Sequence, residues 1–299
     1  MAENLKQLRR RIRSVRNTRQ ITRAMEMVSA AKLRRTSVLF EAAQPYSLKM
    51  RELLGRVITP ELMETHPLFQ VRPIRRVLLI VFTADKGLCG AFNANLIARA
   101  EKFLAAQPAA VETDLLLIGR KGWDYFRRRR HHIVKSITNL SGRPDSEAAR
   151  QAAALSAEQF ISGVYDRVHV IYAEFVNKMV NRPREDLMLP LAADALGTRS
   201  GGPAPAHDDA AGSGGDYIIE PDPATVFDSL IPRYLQGRMY GFMVETFTCE
   251  HSARMVAMTN ATRNCKELID SLTLKMNKAR QNAITKELLD IVGGAQAVQ

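Results

Sequence analysis

The segment Asp85-Lys-Gly-Leu-Cys-Gly-Ala-Phe-Asn-Ala-Asn95 is the first stretch whose residue types and spacing suggest chemistry. It follows a predicted strand and opens a predicted helix, which is where nucleotide-binding loops lie in α/β proteins. Its glycine spacing matches neither GxGxxG nor GxxxxGK followed by Ser or Thr, so a row of amides that cradles phosphate is not indicated. We interpret it as a structural strand-to-helix turn in which Gly87 and Gly90 adopt unusual backbone angles.

A second candidate is the basic run Arg127-Arg-Arg-Arg-His-His132. It suits either a nucleic-acid contact or the solvated end of a helix, where cations are favourable beside the helix dipole. No aromatic residues that could stack on bases interleave with the run, which favours the helix end.

Residues for nucleophilic or metal-dependent chemistry do not form a recognisable pattern. The cysteines Cys89, Cys249 and Cys265 are unclustered and form no CxxC pair, which is typical of thiols in a reducing compartment. Cys89 follows a strand, but no His–Asp pair at a recognisable spacing accompanies it. The six histidines show no metal-ligand spacing. We therefore expect no catalytic residue, no metal and no cofactor, and a chain that is not itself an enzyme.

The charge is concentrated near the N-terminus. The net charge of the chain is +12, and residues 2–44 alone carry eleven Lys or Arg against three Glu. A long basic helix could lie along DNA, on anionic lipid or against an acidic protein surface. No apolar run reaches the roughly 18 residues that a membrane span requires, so a soluble cytoplasmic protein is the first interpretation.

The patterns at both ends of the chain predict very long helices, and the first of these helices carries the charge. Residues 2–44 contain no Gly or Pro, and apolar residues recur at helical spacing through Leu5, Leu8, Ile12, Val15, Ile21, Met25 and Val28. Residues 242–292 also lack Gly and Pro and carry a heptad seam that Gly293-Gly294 should end, through Met258, Thr262, Cys265, Ile269, Leu272, Met276, Ala279 and Ala283. We predict that they pair as an antiparallel two-helix coiled coil. Met, Ala and Thr on their faces suggest shallow, adaptable contacts with a partner, although gap-filling in the seam would explain them equally.

The middle of the chain has the pattern of an α/β domain. Short apolar runs at 76–83, 114–119 and 167–176 predict buried strands, and helical stretches follow at about 91–106, 121–130 and 147–164. Leu187–Leu191 and Tyr217–Ile219 are further strand candidates. The Gly- and Pro-rich segment 199–216 predicts a flexible surface loop. The division is a coiled-coil helix over 1–58, a Rossmann-like layered domain over 74–220 and a second coiled-coil helix over 224–299.

Three stretches, 11–35 (RIRSVRNTRQITRAMEMVSAAKLRR), 85–96 (DKGLCGAFNANL) and 252–298, resemble the gamma subunits of bacterial F-type ATP synthases in order and separation. The resemblance covers the whole chain. It implies a central rotor shaft that couples ion-driven rotation of the membrane c-ring to conformational cycling of the catalytic beta subunits. The implied partners are three alpha and three beta subunits, the epsilon subunit and the c-ring. The implied location is peripheral, at the cytoplasmic face of the inner membrane, with membrane association only through the c-ring.

The resemblance also implies which residues contact partners. Met25 would lie near the levers of the beta subunits, and the basic first helix, with Arg9 and Arg10, would face an acidic segment of beta. The remaining contacts would be polar ones with a beta catch loop and apolar ones in an upper bearing: Arg280, Gln281 and Thr285 for the former, and Ile284, Leu288, Ile291 and Val292 for the latter.

Two alternatives remain beside the shaft. A basic coiled-coil nucleic-acid-binding protein would need stacking aromatics or a recognition helix, and aromatic content is only 6%. An enzyme built on the α/β domain would need converging titratable groups in a cleft.

Overall fold

The computed structural model describes residues 5–129, 131–192, 220 and 222–296, with side chains up to residue 289. The chain divides into two compact units, one of residues 32–253 and one that combines residues 1–31 with 254–299. The larger is called the α/β unit below, and the smaller the helix-pair unit. The predicted loop 199–216 and the strand candidate Tyr217–Ile219 lie outside the described residues.

Two long helices are the first and last elements that the structure describes, and shorter elements lie between them. In chain order they are α1 (Leu5–Val57), α2 (Pro60–Thr65), a 3-10 turn (Pro67–Phe69), β1 (Arg76–Phe82), α3 (Phe92–Ala106), β2 (Glu112–Ile118), α4 (Arg120–Phe126), β3 (Ile133–Ile137), α5 (Ser146–Ile161), β4 (Arg167–Phe175), β5 (Asn181–Leu189) and α6 (Pro223–Gln296).

A five-stranded sheet organises the α/β unit, in the order β3-β2-β1-β4-β5. Strands β1 to β4 are parallel, and β5 pairs antiparallel with β4 at the edge. The central strands are apolar throughout because both faces are covered. The predicted α/β layered fold is confirmed.

Alternating residues of β1 divide the core of this unit into two layers. Leu78, Ile80 and Phe82 pack in one layer, which includes residues of α1, α5 and α6. Val77 and Leu79 pack in the other, against α3 and α4. Each layer buries large side chains completely, which is the main source of stability for the sheet.

The helix-pair unit contains an antiparallel pairing of α1 and α6. Leu8 and Ile12 form a cluster with Leu272, whereas the hydroxyl of Thr262 donates to that of Thr22 at 2.8 Å. Later residues of α1 therefore face earlier residues of α6, so the two helices run in opposite directions. The predicted antiparallel coiled coil is confirmed.

The seam of α1 differs from the predicted apolar stripe. Ile21 and Val28 are 61% and 57% exposed, and the buried positions beside them are Thr22 and Ser29. The heptad spacing that starts at Leu8 therefore continues through hydroxyl residues, which the search for apolar residues passed over. These hydroxyls are satisfied because Thr22 donates to the carbonyl of Arg19 and Ser29 donates to that of Met25.

Several element bounds also differ from the sequence prediction. Gly293-Gly294 does not end the last helix, which extends to Gln296. The helix predicted over 121–130 ends at Phe126, and the strand predicted at Leu187 begins earlier, at Asn181. Strand β3 was not predicted. The division into domains at 1–58, 74–220 and 224–299 stays a prediction.

Candidate partner-binding surface

The turn at 85–95 is held closed by its own chain. The Asp85 carboxylate accepts from three backbone amides, those of Arg120 at 2.9 Å, Asn139 at 3.1 Å and Ser141 at 2.6 Å. Beyond β2, Gly119 has a φ of 102°, and a Cβ there would lie 2.0 Å from the carbonyl oxygen of Thr83. The carboxyl edge of the central strands, where nucleotides bind in many α/β sheets, is therefore occupied by tightly packed backbone.

The backbone of this turn differs in one respect from the prediction. Gly90 has a positive φ of 59°, as expected, but the second residue in this region is Leu88, with a φ of 61°, and not Gly87. Cys89 is buried, and its sulfur lies 3.1 Å from the Asn93 amide nitrogen, which donates to it. These contacts support a structural turn.

The basic run 127–132 lies just after α4, and aromatic residues are in fact close to it. The Arg127 guanidinium lies 4.1 Å from the ring centre of Trp123, and that of Arg129 lies 3.4 Å from that of Tyr125. No such ring interleaves with the run itself, since Trp123 and Tyr125 lie four residues before the arginines that they contact. Each ring face is covered by an arginine of the same chain.

A basic groove runs along the first turns of α1 within the helix-pair unit. Its volume is about 1210 Å³, and none of the described residues that line it is acidic. The residues that line it are Lys6, Gln7, Arg9, Arg10, Ile12, Arg13, Arg16, Asn17, Gln20, Thr273 and Met276. Five cations on about three helical turns generate a strong positive field, which attracts an acidic partner. The sequence-predicted residues Arg9 and Arg10 are thus brought together in one groove.

Among the described residues of the helix-pair unit, none covers the far part of α6. Every side chain from 280 to 289 is exposed, and Ile284 and Leu288 are 50% and 58% exposed. Arg280, Gln281 and Thr285 lie on the same stretch. Ile291 and Val292 lie in α6, but their side chains are outside the described part of the chain. Such a run of exposed apolar residues is typical of a surface that a partner covers.

Met25 lies elsewhere, on the middle of α1, and is half-buried. The neighbouring exposed apolar residues Ile21, Met27 and Val28 extend the apolar surface of this helix. The sequence pattern placed Ile21 and Val28 in the seam. A heptad that continues through Thr22 and Ser29 would have predicted that these two residues face outward.

Metal-binding and membrane-spanning features were also sought. Within the described ranges, no group of three or more His, Cys, Asp or Glu side chains is placed to hold a metal ion. None of the described helices combines the length and hydropathy that crossing a bilayer requires.

Comparison with known proteins agrees along the whole chain. The family model for ATP synthase matches residues 4–298. The ATP synthase gamma chain of Symbiobacterium thermophilum is 44% identical over 301 residues, covering 100% of both chains. That of Pelotomaculum thermopropionicum is 41% identical over 296 residues, covering 99% of both. Both relatives are bacterial.

Solved structures show the same fold. A chain of the Euglena gracilis mitochondrial ATP synthase superposes with a TM-score of 0.66 at 21% identity, covering 98% of this chain and 94% of that one. A chain from the central stalk and c-ring of the Tetrahymena thermophila mitochondrial ATP synthase gives 0.60 at 22% identity, covering 81% and 99%.

A sheet whose carboxyl edge is closed, and a helix pair that exposes basic and apolar side chains, define a protein that acts by contact with partners. Its long helices and α/β unit are those of a rotary-motor stalk subunit. The chain belongs to the ATP synthase gamma chain family, the gamma subunits of F-type ATP synthases.

Proposed function

We propose that the chain is the central shaft that couples rotation of a membrane c-ring to conformational cycling of catalytic beta subunits. The assembled complex is a proton-transporting ATP synthase, in which this chain carries out no chemistry. The observation that supports this most directly is the antiparallel helix pair with its uncovered stretch 280–289. A helix end of this kind is suited to insertion into a surrounding sleeve.

The composition of the pair suits rotation inside a sleeve of three alpha and three beta subunits. Its seam uses hydroxyls that are satisfied by their own helices, and its outer face carries Ile21, Met27 and Val28. Deep pockets for these side chains would trap one angle, and each 1.4 kcal/mol of trapping slows escape about tenfold. Shallow contacts with adaptable residues keep the angular free-energy profile low.

The basic groove supplies the charged part of the contact. Arg9 and Arg10 lie on its rim together with three further cations, which suits an acidic segment of a beta subunit. At the same end of the pair, Arg280, Gln281 and Thr285 of α6 are exposed and available for polar contacts with a beta loop. Ile284, Leu288, Ile291 and Val292 would form the bearing contacts.

The α/β unit would bind the remaining partners, which are the epsilon subunit and the c-ring. This arrangement puts the chain at the cytoplasmic face of the bacterial inner membrane as a peripheral protein, held there through the c-ring. A nucleic-acid-binding role is the alternative that the basic groove also suits. It predicts binding to duplex DNA that weakens steeply with salt, whereas the shaft requires none.

Charge reversal in the basic groove tests the shaft role. In reconstituted proteoliposomes, R9E/R10E should reduce proton-driven ATP synthesis roughly tenfold, because two attractions become repulsions. Assembly of the complex should persist. The matched control is R128E, an exposed arginine outside the groove, which should retain synthesis within about twofold.

Truncation after Lys275 tests the same role through the last helix. It removes the uncovered stretch of α6 and should abolish coupled ATP synthesis. Full synthesis by both R9E/R10E and the truncated chain would refute the shaft role.

A further inference from the structure

A pocket of about 340 Å³ lies in the α/β unit, at the edge of the sheet opposite the closed turn. It is bounded by the first residues of β1 and β4 and by the last turns of α3. Ile74, Val77 and Phe103 give it an apolar wall, and polar side chains from α3, β4 and β5 surround the rest. Its volume is in the range of small-molecule sites.

The charges around this pocket are unbalanced. Three cationic side chains line it, Arg99, Lys102 and Arg167, against the single carboxylate of Glu185. That carboxylate is already engaged, because one oxygen lies 2.9 Å from Arg99 and the other lies 3.2 Å from the Nδ1 atom of His169. In the described part of the chain, neither Lys102 nor Arg167 has an ion-pair partner, so the pocket carries an excess of two positive charges.

The strand pattern explains why two of these groups face the pocket. Val168 and Val170 pack in the core layer on the α5 side, so Arg167 and His169 project toward α3. Burial lowers the pKa of His169, and its ring packs 4.9 Å from that of Phe103, so it adds a neutral polar surface. Lys102 lies on α3 before its last turn and Arg167 lies on β4, so a helix dipole does not explain these two charges.

We propose that this pocket binds the phosphate group of a small phosphate-bearing ligand. The planar Arg167 guanidinium can contact two phosphate oxygens at once, and Lys102 supplies a mobile point charge. Ile74 and Phe103 would hold the apolar part of a larger ligand such as a nucleotide. The site is independent of the shaft role, since rotation does not require it to be filled.

Isothermal titration calorimetry of the full chain at low salt tests the proposal. Pyrophosphate and ADP are the two probes, and each should bind at one site. K102Q/R167Q should weaken binding roughly tenfold or more, because both unpaired cations are lost. The control R34Q removes one exposed arginine of the same unit that does not line the pocket, and it should bind within about twofold of the original chain.

The two probes also separate the ligand sources. Equal affinities would show a site for phosphate alone, whereas tighter binding of ADP would show that the apolar wall holds the nucleoside. K102Q alone, at an exposed position, gives the same direction of change if the double variant does not fold. Absence of binding by both probes, or equal weakening by R34Q and K102Q/R167Q, would overturn the proposal without affecting the coupling experiments.

Discussion

Glu245 is a carboxyl group of the α/β unit whose pKa is strongly raised. It is half-buried on α6, and its Oε1 atom accepts from the amide of Phe175 at 2.9 Å. Desolvation is the main cause that raises its pKa to about 7, and the nearby carboxylates of Glu174 and Asp186 act in the same direction. The Phe175 amide and Arg184 oppose this shift only in part. The folded chain therefore favours the protonated form of this group at acidic pH.

A stability-versus-pH measurement tests this assignment. Because the folded pKa is above the ordinary value near 4.5, the folded state holds a proton that the unfolded state releases. The contribution of Glu245 to the free energy of unfolding is thus fully present below about pH 4.5. It is lost as pH rises to about 7, which lowers the free energy of unfolding by roughly 1–3 kcal/mol. E245Q should remove this loss, as measured by denaturant unfolding followed by the fluorescence of the single residue Trp123. The control is E52Q, which removes an exposed carboxyl whose pKa is lowered by Lys49. This variant should still lose stability between about pH 4.5 and about pH 7. An unchanged pH slope in E245Q would contradict the assignment.

The role of Asp85 can be tested by removing its carboxylate. D85A leaves the amides of Arg120, Asn139 and Ser141 without their acceptor, so unfolding should become easier by roughly 2–4 kcal/mol. The same fluorescence measurement reports it. The comparison is D124A, which breaks only a surface pair with Arg127 and should change the free energy of unfolding by about 0.5 kcal/mol or less. Equal effects of the two substitutions would show that the turn does not depend on Asp85.

At the scale of elements, the helix pair has a covered part and an uncovered part. Leu272 is 2% exposed in the cluster with Leu8, whereas the stretch of α6 from residue 280 to residue 289 is open. The same helix therefore contributes to folding in one part and to binding in the other.

Two leucine substitutions distinguish these parts. L272A should destabilise the helix pair by about 2–4 kcal/mol through the cavity it leaves, measured as faster amide hydrogen exchange across 254–279. L288A should leave exchange in the isolated chain nearly unchanged and should weaken assembly with alpha and beta subunits. Equal protection losses in the two variants would mean that Leu288 is covered by the chain itself.

Sequence patterns located the strands correctly where an apolar run is also buried in the fold. The runs at β1, β2 and β4 are apolar because they are buried on both faces, and they were located within two residues. Strand β3 was missed because its residues are only half-buried and its run is short, and most of β5 was missed because it is a polar edge strand. The hydroxyl part of the α1 seam was missed because satisfied Thr and Ser can occupy positions where apolar residues are expected.

Surface residues could be predicted from the sequence only where charge is concentrated in one segment. Arg9 and Arg10 could be identified by charge density, and the structure places them in one groove. The pocket between α3 and the sheet could not be predicted, because Lys102, Arg167 and Glu185 are distant in sequence and meet only through the sheet order. The end of the last helix was predicted too early, at Gly293-Gly294, whereas α6 extends to Gln296.

At the scale of the whole molecule, the chain combines a well-packed α/β unit with a helix pair whose outer faces are left for partners. Both α1 and α6 contribute residues to each unit. The net charge of +12 is concentrated on the first helix, and the Asp85 carboxylate at the closed turn is engaged by backbone amides. This distribution suits a subunit that transmits force between larger partners.

Direct observation of rotation tests the shaft role most directly. The full chain with Cys265 changed to Ser and Ala105 changed to Cys, an exposed position on α3, would carry an optical probe in an immobilised complex with alpha and beta subunits. We predict that ATP drives the probe stepwise in one direction, and that truncation after Lys275 weakens or stops this motion. A probe that stays fixed, or fluctuates without direction while the complex hydrolyses ATP, would contradict the shaft role.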